Sequence, residues 1–201
     1  AYTAFVATAT HLCDLFAVRP AVLVHDAHPE YLSTKWARDT ELPTLAVQHH
    51  HAHVASCLVD HGRAGPVIGL AFDGLGYGDD GTLWGGEVLV ADLVDSQRLA
   101  HLRPVVLPGG AAAIREPWRM AVAWAAAAVD APTARAVAQA LDPRGASLLG
   151  LVERADPPGG PVTTSVGRLL DAVAALVGGR RAVTYEGQAA VELEAMARRV
   201  P

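Results

Sequence analysis

The chain has 201 residues, 51% of them apolar, and a net charge of -5 from 16 basic and 21 acidic side chains, enough for one large domain or two small lobes. An acidic balance with no basic run, and only four Tyr and three Phe as stacking surfaces, argues against a nucleic-acid partner. Apolar runs such as AVAWAAAAV fall far short of the ~20 residues that cross a bilayer, so no membrane association is expected. The first residues have no basic n-region and include Asp14, and the two cysteines, Cys13 and Cys57, cannot build a disulfide framework or a zinc ribbon. A cytoplasmic location is the default expectation.

In chain order, Phe5, Leu12, Leu15 and Phe16 fall near helical spacing, and Pro20 ends that helix. AVLVHD, residues 21–26, reads as a buried strand, followed by a loop and short helix in HPEYLSTKWARD. TLAVQH, residues 44–49, is a second strand that runs into the helical HHAHVASCLVDHG. There Ala52, Ala55, Leu58 and Val59 form an apolar face and Gly62 a C-cap. Such alternation predicts an α/β layer with parallel strands. Beyond Pro66, residues 67–73, 84–93 and 98–107 predict an antiparallel meander of three strands. From Arg115 onward the pattern is almost wholly helical: REPWRMAVAWAAAAVD, residues 133–141, a helix near 146–154, SVGRLLDAVAALVG and EGQAAVELEAMARR. The expected division is residues 1–63, an α/β piece, and 66–201, a meander plus helices. Neither end reads as the end of a domain, so a fragment is expected.

Four stretches carry candidate chemistry. QHHHAHVASC, residues 48–57, holds His49, His50, His51 and His53, of which only His49 and His53 lie one helical turn apart. Two imidazoles so spaced can share one divalent ion; the alternative is a His-rich helix start, solvated or packed. A zinc peptidase would need Glu where His50 stands. His50 and His51 are expected to look outward or toward a ligand cleft. AFDGLGYGDDGTLWGGE, residues 71–87, runs from a strand into Asp73, Gly74, Gly76, Gly78 and Gly81. Glycines bring backbone N–H groups close to an anion, so this is either a phosphate-side loop or a long hairpin with no ligand. It is neither a Walker loop, since no G-K-[S/T] follows, nor a dinucleotide fingerprint, since a strand rather than a helix follows. His25, Asp26 and His28 sit at a strand exit, where α/β proteins place ligands, or are a capping Asp and surface histidines. Asp171 on a helix and Gly187 in a Tyr-Glu-Gly-Gln turn before another helix are candidates for a ribose and a phosphate.

Taken together, VHDAHPEYLSTKWA, VQHHHAHVASCL, AFDGLGYGDDGTLWGGE, REPWRMA, TTSVGRLLDA and TYEGQAAVELE, in this order, resemble the HypF-type carbamoyltransferases of nickel–iron hydrogenase maturation. The resemblance is to their carbamoyl-transferring domain, which is similar to the TsaD proteins and related to the O-carbamoyltransferase TobZ. It implies an α/β fold of the two-lobed actin/Hsp70/sugar-kinase (ASKHA) type, incomplete at both ends. It also implies that carbamoyl-adenylate, made from carbamoyl phosphate and ATP in a YrdC-like domain, gives its carbamoyl group to the C-terminal cysteine of HypE. A divalent metal, iron or zinc, is implied at His49 and His53, with a late aspartate as third ligand outside this chain. The nucleotide is implied at Asp73, Gly74, Gly76 and Gly78 on the phosphate side and at Asp171 and Gly187 near the ribose. Acylphosphatase-like, zinc-finger and YrdC-like segments are not visible in the sequence, so the chain alone is expected to be a poor enzyme. The competing expectations are a small-molecule O-carbamoyltransferase and a non-enzymatic nucleotide- and metal-binding scaffold.

Overall fold

Two parallel strands and three helices form the first part of the chain, and a five-stranded sheet with six helices the rest, among the residues 1–154 and 160–199 that the computed structural model describes. Helix α1 (Tyr2–Leu15), β1 (Leu23–Asp26), α2 (Leu32–Arg38), β2 (Thr44–Val47) and α3 (His49–Asp60) come first. β1 and β2 pair in parallel from Leu23↔Thr44 to Asp26↔Val47, as the alternation predicts. Both strands point their C-terminal ends at the same place, where Asp26 and the start of α3 meet. Gly62, at φ +61, follows the last turn of α3 as the sequence predicts.

The second part opens with β3 (Val67–Tyr77), β4 (Leu83–Ala91) and β5 (Ser96–His101), the expected antiparallel meander. β6 (Val105–Val106) and β7 (Val162–Thr163) complete the sheet. Residues 98–107, expected as one strand, are two: β5 pairs β4, whereas β6 pairs β7. Pro104, lying between them, has no N–H to give to a ladder, so the chain breaks there and changes partner. Helices α4 (Ala111–Arg115), α5 (Trp118–Ala128), α6 (Ala131–Leu141), α7 (Gly145–Glu153), α8 (Val166–Leu176) and α9 (Gln188–Ala197) follow the expected helical stretches, with α4 an addition. Val200 and Pro201, at the end of the last amphipathic run, lie outside the described residues.

Two cores hold these parts. The larger one packs Trp118, Met120, Val122, Leu148 and Leu149 with small residues of α5, α6 and α8. The smaller seats Val54 and Leu58 of α3 on Ala71, Trp84, Leu89 and Ala91 of β3 and β4. The face of α3 therefore differs from the expected one: Val59 is 67% exposed, and the buried stripe is His50, Val54 and Leu58. Strand β1 is also less enclosed than expected. Its Val24 is 62% exposed while His25 is buried, because nothing among the described residues covers the Val24 face.

Leu149 is 2% exposed and lies in the larger core, in a helix that takes no part in the candidate site. Leu149→Ala should cost about 2–5 kcal/mol, the usual range for emptying a closely packed leucine site. Urea unfolding checks this, and a loss below about 1 kcal/mol would mean that α7 is only loosely docked.

Candidate metal centre

The site forms where the first turn of α3 meets β3. Gln48, in extended conformation, caps the helix by accepting from the amide of His51 at 2.9 Å. Its amide group also donates to the carbonyl of Tyr77 at 3.1 Å, which pins the start of α3 to the end of β3. Gly76 makes the approach possible: a Cβ there would stand 2.5 Å from Cε1 of His50 and 2.6 Å from Cδ2 of His49. Only a residue without a side chain fits between the strand and the two rings.

His49 and His53 then face each other along the helix, with their Nε2 atoms 3.2 Å apart. Asp73 enters from β3 and brings Oδ2 to 3.1 Å from Nε2 of His49. Ligand atoms from His49, His53 and Asp73 all lie within 4.8 Å of one another. Two nitrogens about 2.0–2.1 Å from a tetrahedral zinc stand about 3.3 Å apart, so the separation of the two imidazoles suits one ion. Oδ2 of Asp73 is buried and has no hydrogen-bond partner, whereas its Oδ1 accepts from the amide of Gly74 at 2.6 Å. A buried carboxylate oxygen left without a donor is costly, and a cation between it and the imidazoles removes that cost. The residues present therefore suit a divalent metal, and they offer three candidate ligands where the sequence reading allowed only two.

Behind the ligands stands Asp26. Its Oδ2 accepts from Nδ1 of His49 at 2.6 Å, while its Oδ1 accepts from the amide of His28 at 2.7 Å. A carboxylate on Nδ1 fixes the proton there and turns the Nε2 lone pair toward the cleft, the usual support for a ligating histidine. The ring of His28 stacks on Tyr31 with centroids 4.1 Å apart. Tyr31 has its hydroxyl pKa raised, first by burial and then by the charges of Asp26, Asp73 and Glu186.

His50 and His51 do not look outward together. His50 is completely buried, and burial followed by the neighbouring His49 lowers its pKa to about 4. It is a neutral packing group, with its ring 5.9 Å from that of Trp84. His51 turns away from the ligands, and its Nε2 donates to the carbonyl of Asp92 at 2.9 Å.

The glycines stand on a long hairpin, one of the two settings the sequence allows, with a first strand longer than expected. Gly74 and Gly76 lie within β3 rather than in a loop, and Gly78, just past its end, leaves room for Trp84, whose Nε1 would be 2.1 Å from a Cβ. The structure does not bring Asp171 to the histidines. It is buried on α8 against Arg168, with Nε and Oδ2 2.7 Å apart, and burial raises its carboxyl pKa against the pull of that arginine. Gly187 is the N-cap of α9 in a left-handed conformation, φ +76, and the carboxylate of its neighbour Glu186 hangs over Gly74. Sequence reasoning missed the pairing of Asp73 with the histidines and the support from Asp26. The one signal for Asp26 was its place at a strand exit.

Residues 69–201 match the family model described as carbamoyltransferase, Kae1-like domain, second subdomain, and residues 1–60 match the HypF Kae1-like domain. Carbamoyltransferase HypF2 of Cupriavidus necator is 44% identical over 202 residues, covering 96% of this chain and 24% of that protein. Carbamoyltransferase HypF of Rhizobium leguminosarum bv. viciae is 46% identical over 190 residues, covering 94% and 24%. The chain thus spans about a quarter of the length of these relatives. A crystal structure of full-length HypF in the phosphate- and nucleotide-bound form superposes with a TM-score of 0.85 at 40% identity, covering 96% of this chain and 25% of that one. The T. kodakarensis HypF crystal structure gives a TM-score of 0.78 at 32% identity, covering 89% and 25%.

His53→Ala should remove most bound iron or zinc, whereas His51→Ala should leave most of it, as elemental analysis of the purified variants would show. Equal loss in both would break the assignment of His49 and His53 as the pair. Asp26→Asn should keep the fold and weaken metal binding about 10–100-fold, the usual effect of losing a ligand's supporting carboxylate. Competition with a chromogenic chelator measures it, and unchanged affinity would leave Asp26 as a strand cap only.

Proposed function

This chain belongs to the HypF carbamoyltransferase family as part of its Kae1-like domain, and from that premise we propose that it transfers a carbamoyl group from carbamoyl-adenylate to the C-terminal cysteine of HypE. The observation that carries the reading is the convergence of His49, His53 and Asp73 from two separate elements onto one point. A divalent ion bound there would act as a Lewis acid on the carbamoyl oxygen and as a template for the nucleotide.

The chain's own residues supply the rest. Asp26 keeps Nδ1 of His49 protonated, so the ring holds one orientation through the reaction. Gly74 keeps Oδ1 of Asp73 occupied, which leaves Oδ2 as the free oxygen. The neutral ring of His50 behind the site adds no positive charge to compete with a cation. Fixed geometry of this kind lowers a barrier by removing the search for orientation, worth up to about 7–11 kcal/mol in well-oriented reactions. The nucleotide would lie against β3 near Asp73, Gly74, Gly76 and Gly78, with the turn at Gly187 and the helix carrying Asp171 on its ribose side. Transfer breaks the bond between the carbamoyl carbon and the phosphate oxygen, forms the carbon–sulfur bond, and releases AMP and the thiol proton.

The test supplies carbamoyl-adenylate to the intact protein together with a HypE C-terminal peptide or an amino sugar, and detects product by mass. The peptide thiol should be carbamoylated, and Asp73→Ala should lower the rate at least 100-fold. Carbamoylation of the sugar alone would establish a small-molecule O-carbamoyltransferase instead. Turnover of neither acceptor, with nucleotide still bound, would reduce the chain to a scaffold.

A further inference from the structure

We propose that Glu87 is a positioning residue for the metal centre, holding open the bulge in β3 that turns Asp73 toward His49 and His53. The inference rests on the metal reading given above. Between the pairs Phe72↔Gly86 and Gly76↔Trp84, three residues of β3, Asp73 to Leu75, stand opposite Gly85 alone. A bulge bends its strand and re-aims a side chain, but it also takes backbone groups out of the ladder. Buried groups so released must find other partners.

They find them through one buried network. On β4, the amides of Gly85 and Gly86 donate to Oε1 of Glu87 at 3.1 and 3.2 Å. On β3, the carbonyls of Asp73 and Gly74 share the one hydroxyl proton of Ser165, with Oγ 2.9 and 2.5 Å away. The two sides are joined by the adjacent pair Thr164 and Ser165: the hydroxyl of Thr164 donates to the same Oε1 of Glu87, and its amide donates to the carbonyl of Leu83, also on β4, at 3.0 Å, while Ser165 reaches β3. Close packing keeps the strands in this arrangement, since a Cβ on Gly85 would stand 2.6 Å from the carbonyl oxygen of Asp73.

Glu87 is 0% exposed, so its charge needs an answer. Arg98 gives it, with Nε 2.7 Å from Oε2. Arg98 is itself held by Asp80 at 2.9 Å and lies 4.0 Å from the centroid of the Trp84 ring. Burial opposes the charge on Glu87, but donors from Thr164, Arg98, Gly85 and Gly86 outweigh it and keep the carboxyl below its usual range. The pattern requires a carboxylate. Both of its oxygens accept, one from three donors and the other from arginine, and a glutamine would turn an NH₂ group toward donors on one side or the other.

The experiment uses the intact protein and cobalt(II) as the probe, reading the dissociation constant, the visible d–d bands and Tm. Glu87→Gln should weaken cobalt binding at least tenfold and shift the bands, because Asp73 loses its aim. Leu149→Ala, destabilised in the other core, should leave both affinity and bands as in the parent. Parent-like affinity and bands in Glu87→Gln, or an equal loss of both in Leu149→Ala, would overturn the proposal. Should Glu87→Gln fail to fold, Thr164→Val and Thr164→Ser replace it: the valine should weaken cobalt binding and the serine restore it, and equal behaviour of the two would overturn the proposal. Asp73→Ala separates the two levels, because full cobalt binding by that variant would sink the metal reading on which the inference stands.

Discussion

Everything in the site depends on how closely the first turn of α3 lies against β3. Gly76 permits that contact, and the rings of His49 and His50 occupy the space that any side chain there would fill. Gln48 adds a polar tie to Tyr77, and Val54 and Leu58 continue the seating along the helix into the smaller core. Helix α3 therefore contributes two things at once: a helical pair of imidazoles, and the interface that brings them to a carboxylate from a different element. Neither half of the chain holds the site without the other.

The division of labour among the histidines follows from this contact. Four histidines within five positions point to different sides of a helix turn, so they cannot share one role. His49 and His53 face the cleft, His50 faces the strand and is stripped of water, and His51 reaches the turn after β4. A buried imidazole whose pKa is about 4 behaves as an aromatic packing group at neutral pH. The same helix turn thus serves both binding and packing.

Much of the fold is legible in the sequence because it is local. Apolar spacing locates the helices of the second half, the strand alternation gives β1 and β2, and Gly62 marks the end of α3. His49 and His53 are legible for the same reason, as positions four apart on a helix. Asp73 as their partner is not, because its direction comes from a bulge that only the facing Gly85 and Gly86, Glu87 and Ser165 create. The glycines of residues 74–78 read either as a phosphate-side loop or as a long hairpin, because spacing alone cannot distinguish freedom of φ from close approach. The buried face of α3 departs from the apolar spacing at Ala52 and Val59, since His50 takes a position that a periodicity of apolar residues assigns to none of the histidines. The i, i+3 spacing of Arg168 and Asp171 is likewise local, and the structure pairs them inside α8.

Every role assigned to the site follows from one ion bound jointly by His49, His53 and Asp73. X-ray absorption at the metal edge of the zinc-loaded protein tests it directly. Two imidazoles and oxygen ligands are expected, with Zn–N distances of about 2.0–2.1 Å and no sulfur bound to the metal. A first shell with fewer than two imidazoles, or one containing sulfur, would contradict it.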